Sequence, residues 1–353
     1  MNPYEKQPPK AFWKHGVANN SLFDISGLWN PKFRIMPKDN ISAYGSCFSQ
    51  YFGKTLEERG YSWLRTEAAP FGMNPKNQKL YGYNIFSSRT ANIYTSSLLR
   101  QWTDWALNPS DIPDIVWKKG DHYIDPFRPK IEPNGFESVA ELENARKVTC
   151  KSFKESISKA RYFIFTLGLT ERWLDKKHGF EYPMCPGTAG GKFSSEDHEF
   201  SNMDFGETLK GLRLAISNMR EINPRLKFIL TVSPVPLTAT ATNQHVLVAT
   251  MHSKSLLRAV AGQLALNNKN IDYFPSYEII NSPAFRGTFF EPNLRSVNPY
   301  GVQFVMNSFF NAQEQKFGKA TIQKPEKQKV ISDISNEDVI CEEELLNAFG
   351  NQK

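Results

Sequence analysis

Residues 162–168 read Tyr-Phe-Ile-Phe-Thr-Leu-Gly (YFIFTLG). The run is apolar but for one threonine, rich in aromatic side chains, and of strand rather than helix length. A strand that is apolar on both pleat faces has to be covered on both, which predicts an interior strand of a parallel sheet sandwiched between helices. The flanking sequence agrees. Upstream, residues 138–160 (SVAELENARKVTCKSFKESISKA) read as one long helix. Downstream, residues 206–222 carry Leu209, Leu212, Ile216 and Met219 on one helical stripe. Asn223-Pro224 stops that helix, and LKFILTVS (226–233) is the next buried strand. A helix near 247–268 carries Leu256, Leu257, Val260 and Leu264, and IDYF (271–274) is a further short strand. The last core helix starts at NPYG, with Asn298 as cap, Pro299 at the first helical position, and Val302, Val305, Met306 and Phe309 facing inward.

The first unit of this pattern is ISAY, a short buried strand, followed by a helix with Phe48, Tyr51, Phe52 and Leu56 on one face and Gly60 as its stop. Strands alternating with amphipathic helices give an α/β architecture with a parallel sheet. In such sheets ligands bind beyond the carboxyl ends of the strands. Four strand ends are therefore candidate site segments: YGSCFS, TLGLTERW, TVSPVPL and FPSYEI. Residues 1–39, rich in Pro, Asn and Lys, are expected to wrap the surface. Residues 66–137, punctuated by eight Pro and Gly positions and containing one helix at 95–107, read as a long insertion of the kind that is often functional. Residues 40–318 then form the domain, and residues 319–353 a polar appendage with one short helix in NEDVICEEELLNAF.

Composition narrows the function classes. A chain of 353 residues with 40% hydrophobic side chains, 26 Phe and 13 Tyr buries a full core. The charge of +7 is spread without a dense basic block, so no nucleic-acid partner is expected. Cys47, Cys150, Cys185 and Cys341 show no C-x-x-C spacing, which speaks against a structural zinc site. The first residues lack an apolar signal region and no stretch has the roughly 18 apolar residues of a membrane span, so a cytoplasmic protein is expected.

Gly45-Ser46 sits where a strand turns into a helix. A serine there meets unpaired N–H groups and the positive end of the helix dipole, which would stabilise an alkoxide or a nearby oxyanion. It equally suits a plain helix cap. The G-x-S-x-G elbow is absent, because Tyr44 and Phe48 stand at its outer positions. At the second strand end Thr170 is either an oxyanion donor or a turn cap. Glu171 either orients a base, pairs with Arg172, or is simply solvated.

The pentapeptide GSCFS, together with FTLGLTERW, YPMCPGTAGGKF, LTVSPVPLTATAT, SKSLLRAVAG, YFPSYEIINS and FRGTFFEPNLRSVNPYGV, resembles the GSCFA-domain family over about residues 41–311. That family is similar to SGNH/GDSL hydrolases and to polysaccharide acyltransferase-like proteins. The resemblance implies a flavodoxin-like three-layer α/β/α fold and acyl-ester chemistry on acylated carbohydrate. It puts Ser46 at the nucleophile position, with its own N–H as an oxyanion donor. Gly168 and Thr170 then fall where related enzymes carry Gly and Asn, so an amide donor is replaced by a hydroxyl. The D-x-x-H of SGNH enzymes is replaced by Asn293-Leu294-Arg295-Ser296, so the usual base is missing. The strand-end loops offer His245 first and His198 second as substitutes, each equally readable as a capping or hydrogen-bonded loop residue. Arg295, Glu278 and Ser296 are candidate substrate contacts, and Glu278 with Arg295 is equally readable as a structural ion pair. No cofactor is expected beyond an acyl donor such as an acyl-CoA in the transferase case. The alternative reading is a glycan-binding accessory protein that has kept the fold without the chemistry.

Overall fold

The computed structural model describes residues 1–321, 339 and 341–350. A four-stranded parallel sheet forms its centre: β1 (Ile41–Gly45), β4 (Tyr162–Leu167), β8 (Lys227–Val232) and β9 (Ile271–Tyr273), side by side in that order. Register aligns Ile41 with Tyr162 and Tyr162 with Lys227, so the strands end together. Between β1 and β4 lie α1 (Ser49–Glu58), α2 (Pro75–Leu80), α3 (Ser96–Leu107), the hairpin β2 (Trp117–Lys119) and β3 (His122–Ile124), and α4 (Val139–Lys159). After β4 the chain forms a small antiparallel sheet, β5 (Glu171–Asp175), β6 (Glu181–Tyr182) and β7 (His198–Asn202), with β5 central. Helix α5 (Phe205–Ile222) leads to β8, α6 (Val246–Asn267) to β9, and α7 (Ser276–Asn281) and α8 (Pro299–Phe317) complete the domain.

The pleat explains the three layers. Phe163, Phe165, Leu167, Phe228, Leu230 and Val232 point to one face and pack on α3, α4, α5 and α6. Ile41, Ala43, Ile164 and Ile229 point to the other and pack on α1, α7 and α8. Each interior strand is buried on both faces, which is why its sequence is continuously apolar. The expected elements are present: Ser138 caps α4 through the Glu141 N–H, and Asn298 caps α8 through the Gly301 N–H with Pro299 beside it.

Two stretches behave differently from their sequence expectation. Residues 1–24 do lie on the surface, but Ile25, Trp29, Phe33 and Ile35 are core residues, and Trp29 stacks on Phe309. Within 66–137, α3 is a full member of one helical layer, with Leu98, Leu99, Trp102 and Trp105 buried. Prolines around it masked that role, since they disrupt periodicity without preventing burial. The rest of this stretch is anchored by Asp125, buried between Arg128 (2.8 Å) and Arg146 (2.9 Å). Among the described residues no helix is long and apolar enough to cross a membrane.

Candidate functional site at the carboxyl edge of the sheet

Gly45 ends β1 with φ +132°, a conformation closed to L side chains. A Cβ there would lie 2.6 Å from the Thr166 amide nitrogen on the neighbouring strand. The chain then turns through Ser46, Cys47 and Phe48 before α1 begins at Ser49. Ser46 is therefore not the helix cap: Phe48 holds that position, and no side chain caps α1. Ser46 is 2% exposed, and among the described residues its Oγ has no hydrogen-bond partner. A buried hydroxyl without a partner costs free energy that a purely structural serine would not need to spend.

The expected oxyanion donors are already committed. Ser46 N–H donates to the Thr166 carbonyl at 3.0 Å, and Gly168 N–H donates to the Tyr94 carbonyl at 2.9 Å. Thr170 donates its hydroxyl to Asn202 Oδ1 at 2.7 Å, with Ser253 Oγ 3.1 Å away. The parallel β1–β4 ladder, carried one residue past Gly45, accounts for the first of these. What Gly168 does is approach: a Cβ on it would lie 3.0 Å from Ser46 Cβ and 3.2 Å from the Tyr94 carbonyl oxygen.

The histidines are elsewhere. His245 is exposed and caps α6, its Nδ1 accepting from the Leu247 N–H. His198 opens β7, where its Nδ1 accepts from Ser194 N–H and its ring packs on Tyr182 and Phe193. Neither hydrogen-bonds to Ser46 Oγ. Glu171 accepts from the Thr240 hydroxyl (2.6 Å) and the Ala241 N–H (3.1 Å), and burial pushes its carboxyl up; Arg172 instead pairs with Glu207. Glu278 pairs with Arg258 and accepts from Tyr273 Oη, so it does not pair with Arg295. Ser296 Oγ accepts from Asn293 Nδ2, and Asn293 Oδ1 receives the N–H groups of Arg295 and Ser296. Residues 293–296 thus form a closed asparagine turn that delivers Arg295 into the site.

The site's centre contains residues that the sequence did not single out. Lys254, on α6, is 1% exposed and donates to the Gly168 carbonyl at 2.7 Å. Ser46 and the lysine thus flank one glycine. Burial brings the ammonium down to about 8, against the pull of Glu343. Asn92 is held by Gln50 on α1 and directs its amide, together with Tyr94 Oη (2.8 Å), at the carboxylate of Glu342. Ile93 N–H donates to the Gly45 carbonyl, which fixes this donor pair beside the β1 end. Cys47 neighbours Cys341, and that neighbour and burial push its thiol up. Arg295 pairs with Glu344 (3.3 Å) and approaches Glu343 (3.8 Å). The short helix expected in 336–349 is a 3₁₀ turn over Glu342–Phe349; residues 336–338 and 340 lie outside the described residues.

Beside these groups opens a mostly apolar cavity of about 510 Å³ between β5, β6 and the loop after β8, bounded by Leu169, Trp173, Tyr182, Met184, Leu237 and Leu346. That size suits a small-molecule site. Glu181 borders it, buried against the hydroxyls of Thr95 and Ser97; burial raises its carboxyl to about 7. Cys185, also at its wall, has its thiol pushed up to about 11 by burial. Among the described residues no group of three or more His, Cys, Asp and Glu side chains is placed to hold a metal ion.

The GSCFA family model matches residues 40–309. The chain belongs to the GSCFA family. The matched region runs from the start of β1 into α8, so it includes Ser46, Gly168, Lys254 and Arg295 and leaves residues 341–350 outside. No curated protein matches the chain. Among solved structures, one from Streptococcus pneumonia, provisionally described as a platelet activating factor, is similar at 10% identity. It covers 49% of this chain and 67% of its own, with a TM-score of 0.28, too low to support any argument about fold or chemistry.

Proposed function

We propose that this GSCFA protein is an SGNH-like serine esterase or O-acyltransferase acting on acylated carbohydrate through an acyl-enzyme on Ser46, with Lys254 as its base. The observation that carries the reading is the buried, unpartnered Ser46 Oγ, packed on the same glycine whose carbonyl holds the buried Lys254 Nζ. Serine–lysine pairs are a recurrent alternative to serine–histidine.

In this reading neutral Lys254 turns from the Gly168 carbonyl and takes the proton of Ser46 Oγ as the oxygen attacks the acyl carbonyl carbon. The carbonyl oxygen becomes an oxyanion in the position of the Glu342 carboxylate, where Asn92 Nδ2 and Tyr94 Oη donate. Collapse breaks the ester C–O bond, and the leaving alkoxide takes the proton from Lys254. Water or a sugar hydroxyl then attacks the acyl-enzyme, giving its proton to Lys254, which passes it to Ser46 Oγ as the acyl–Oγ bond breaks. The acyl group can come from the carbohydrate ester itself or, in the transferase case, from a donor such as an acyl-CoA.

A fluorophosphonate probe tests this directly. Labelling that maps to Ser46 and vanishes in Ser46→Ala is expected, together with loss of 4-nitrophenyl butyrate hydrolysis. A Ser46→Ala protein that hydrolyses the ester at the wild-type rate would sink the reading. The second reading, a glycan-binding accessory protein, draws on the commitment of the Ser46 and Gly168 N–H groups to backbone carbonyls. It expects no probe labelling and intact glycan retention.

A further inference from the structure

Residues 341–350 do not merely lie against the domain. Glu342 is buried and places its carboxylate on the Asn92 amide and the Tyr94 hydroxyl. Glu343 reaches toward the cations of Lys254 and Arg295, which weigh on its carboxyl in opposition to burial. Leu346 forms part of the wall of the apolar cavity. A carboxylate on two converging donors, followed four residues on by an aliphatic side chain at the wall of an apolar chamber, has the layout of a carboxylic acid with an apolar chain. If this segment withdrew and nothing replaced it, the Asn92 and Tyr94 donors would lose their carboxylate and two largely buried cations would face a void. Both are costly. Whatever displaces the segment must therefore bring a carboxyl-type oxygen to Asn92 and Tyr94 and apolar bulk to the cavity.

We propose that residues 341–350 occupy the site as a built-in competitor, and that the ligand they stand in for is a carboxylic acid, or its ester, with an apolar chain longer than acetyl. This rests on the Ser46 reading only in naming the acid as the product released there; the occupancy and its competition do not depend on catalysis.

The test uses the full chain and decanoate as probe. By calorimetry, decanoate should bind the wild type weakly and the double variant Glu342→Ala/Leu346→Ala at least tenfold more tightly, because the competitor has lost both its carboxylate and its aliphatic anchor. Adding Tyr94→Phe to that variant should weaken decanoate severalfold, and decanol should bind at least tenfold more weakly than decanoate. Equal decanoate affinity in wild type and double variant, or no binding to either, overturns the proposal. Because the variant's own folding could interfere, hydrogen exchange on the wild type gives a separate readout. Saturating decanoate should raise exchange in 341–350, and unchanged protection there refutes displacement. A failure of catalysis at Ser46 would leave these affinities untouched, and a failure of competition would leave the Ser46 labelling untouched.

Discussion

Replacing Lys254 by methionine separates two consequences of burying an amine. Lys254 is 1% exposed, so solvent screening is minimal, and its folded value lies at about 8 against an ordinary 10.5. A depressed folded value means that the stability associated with the neutral form is present above about pH 10.5 and is lost as the pH falls through 8. At 1.36 kcal/mol per pH unit, carrying the charge at pH 7 costs about 3 kcal/mol relative to the unfolded chain. Methionine removes that cost but also removes the donor on the Gly168 carbonyl, worth about 1 kcal/mol. Lys254→Met should thus be more stable at pH 7 by about 2 kcal/mol, and the gain should shrink as the pH approaches 10. Activity should move the opposite way. A lysine titrating near 8 is neutral in about one molecule in eleven at pH 7 and in about ten in eleven at pH 9, so wild-type kcat/KM should rise about tenfold across that interval. The variant should lose about 10²–10⁴-fold and the alkaline rise with it. The assays are urea denaturation at pH 7 and 10 and 4-nitrophenyl butyrate hydrolysis from pH 6 to 9.5. A Lys254→Met enzyme that keeps the rise with a midpoint near 8 would refute the assignment of the base.

Glu181 makes the complementary prediction. Its carboxyl is raised to about 7 from 4.5, so its contribution to stability is complete below pH 4.5 and is lost as the pH rises through 7, a change of about 3 kcal/mol. Glu181→Gln should flatten that part of the stability profile; an unchanged slope in urea melts between pH 5 and 8 would contradict it. Asp125→Ala leaves the Arg128 and Arg146 guanidiniums buried without their carboxylate and should cost about 3–5 kcal/mol, read as a lowered midpoint of chemical denaturation. Burial alone would raise the Asp125 carboxyl, but the two arginines outweigh it and hold it below its ordinary value. That part of the wild-type stability is therefore present above about pH 4 and lost in acid. Gly45→Ala adds a Cβ 2.6 Å from the Thr166 nitrogen at φ +132° and should destabilise by about 2–5 kcal/mol; a loss below 1 kcal/mol would show that the turn can relax.

The sheet was readable because its signal is local. A strand buried on both faces is apolar at every position, as in Tyr162–Leu167, and helix starts such as Asn298-Pro299 announce themselves through their own neighbours. Helix α3 was partly readable: the pattern of Leu98, Leu99, Trp102 and Trp105 shows a helix, but nothing local says that it joins the main layer. Ser46 was singled out from its strand-to-helix setting and family resemblance, yet local sequence could not separate cap from free hydroxyl. That distinction depends on where α1 starts and on what faces the hydroxyl.

The histidines illustrate the limit. His245 and His198 were chosen because they follow strand ends in the chain, but chain proximity fixes neither side-chain direction nor depth, and both make local backbone hydrogen bonds instead. Lys254 lay inside SKSLLRAVAG, a stretch that reads as ordinary amphipathic helix, and only packing of α6 on the carboxyl edge buries its amine against Gly168. Asn92 and Tyr94 sat in a stretch without periodicity, and Glu342 in a tail that reads as a polar appendage with one short helix. Their meeting joins positions some 250 residues apart in the chain. By itself the sequence determined the layers, the strand ends and the serine, since burial pattern and turn chemistry are written residue by residue. Which polar groups share the serine's pocket was decided by tertiary structure, because charge burial and donor convergence are properties of places in space that no single segment contains.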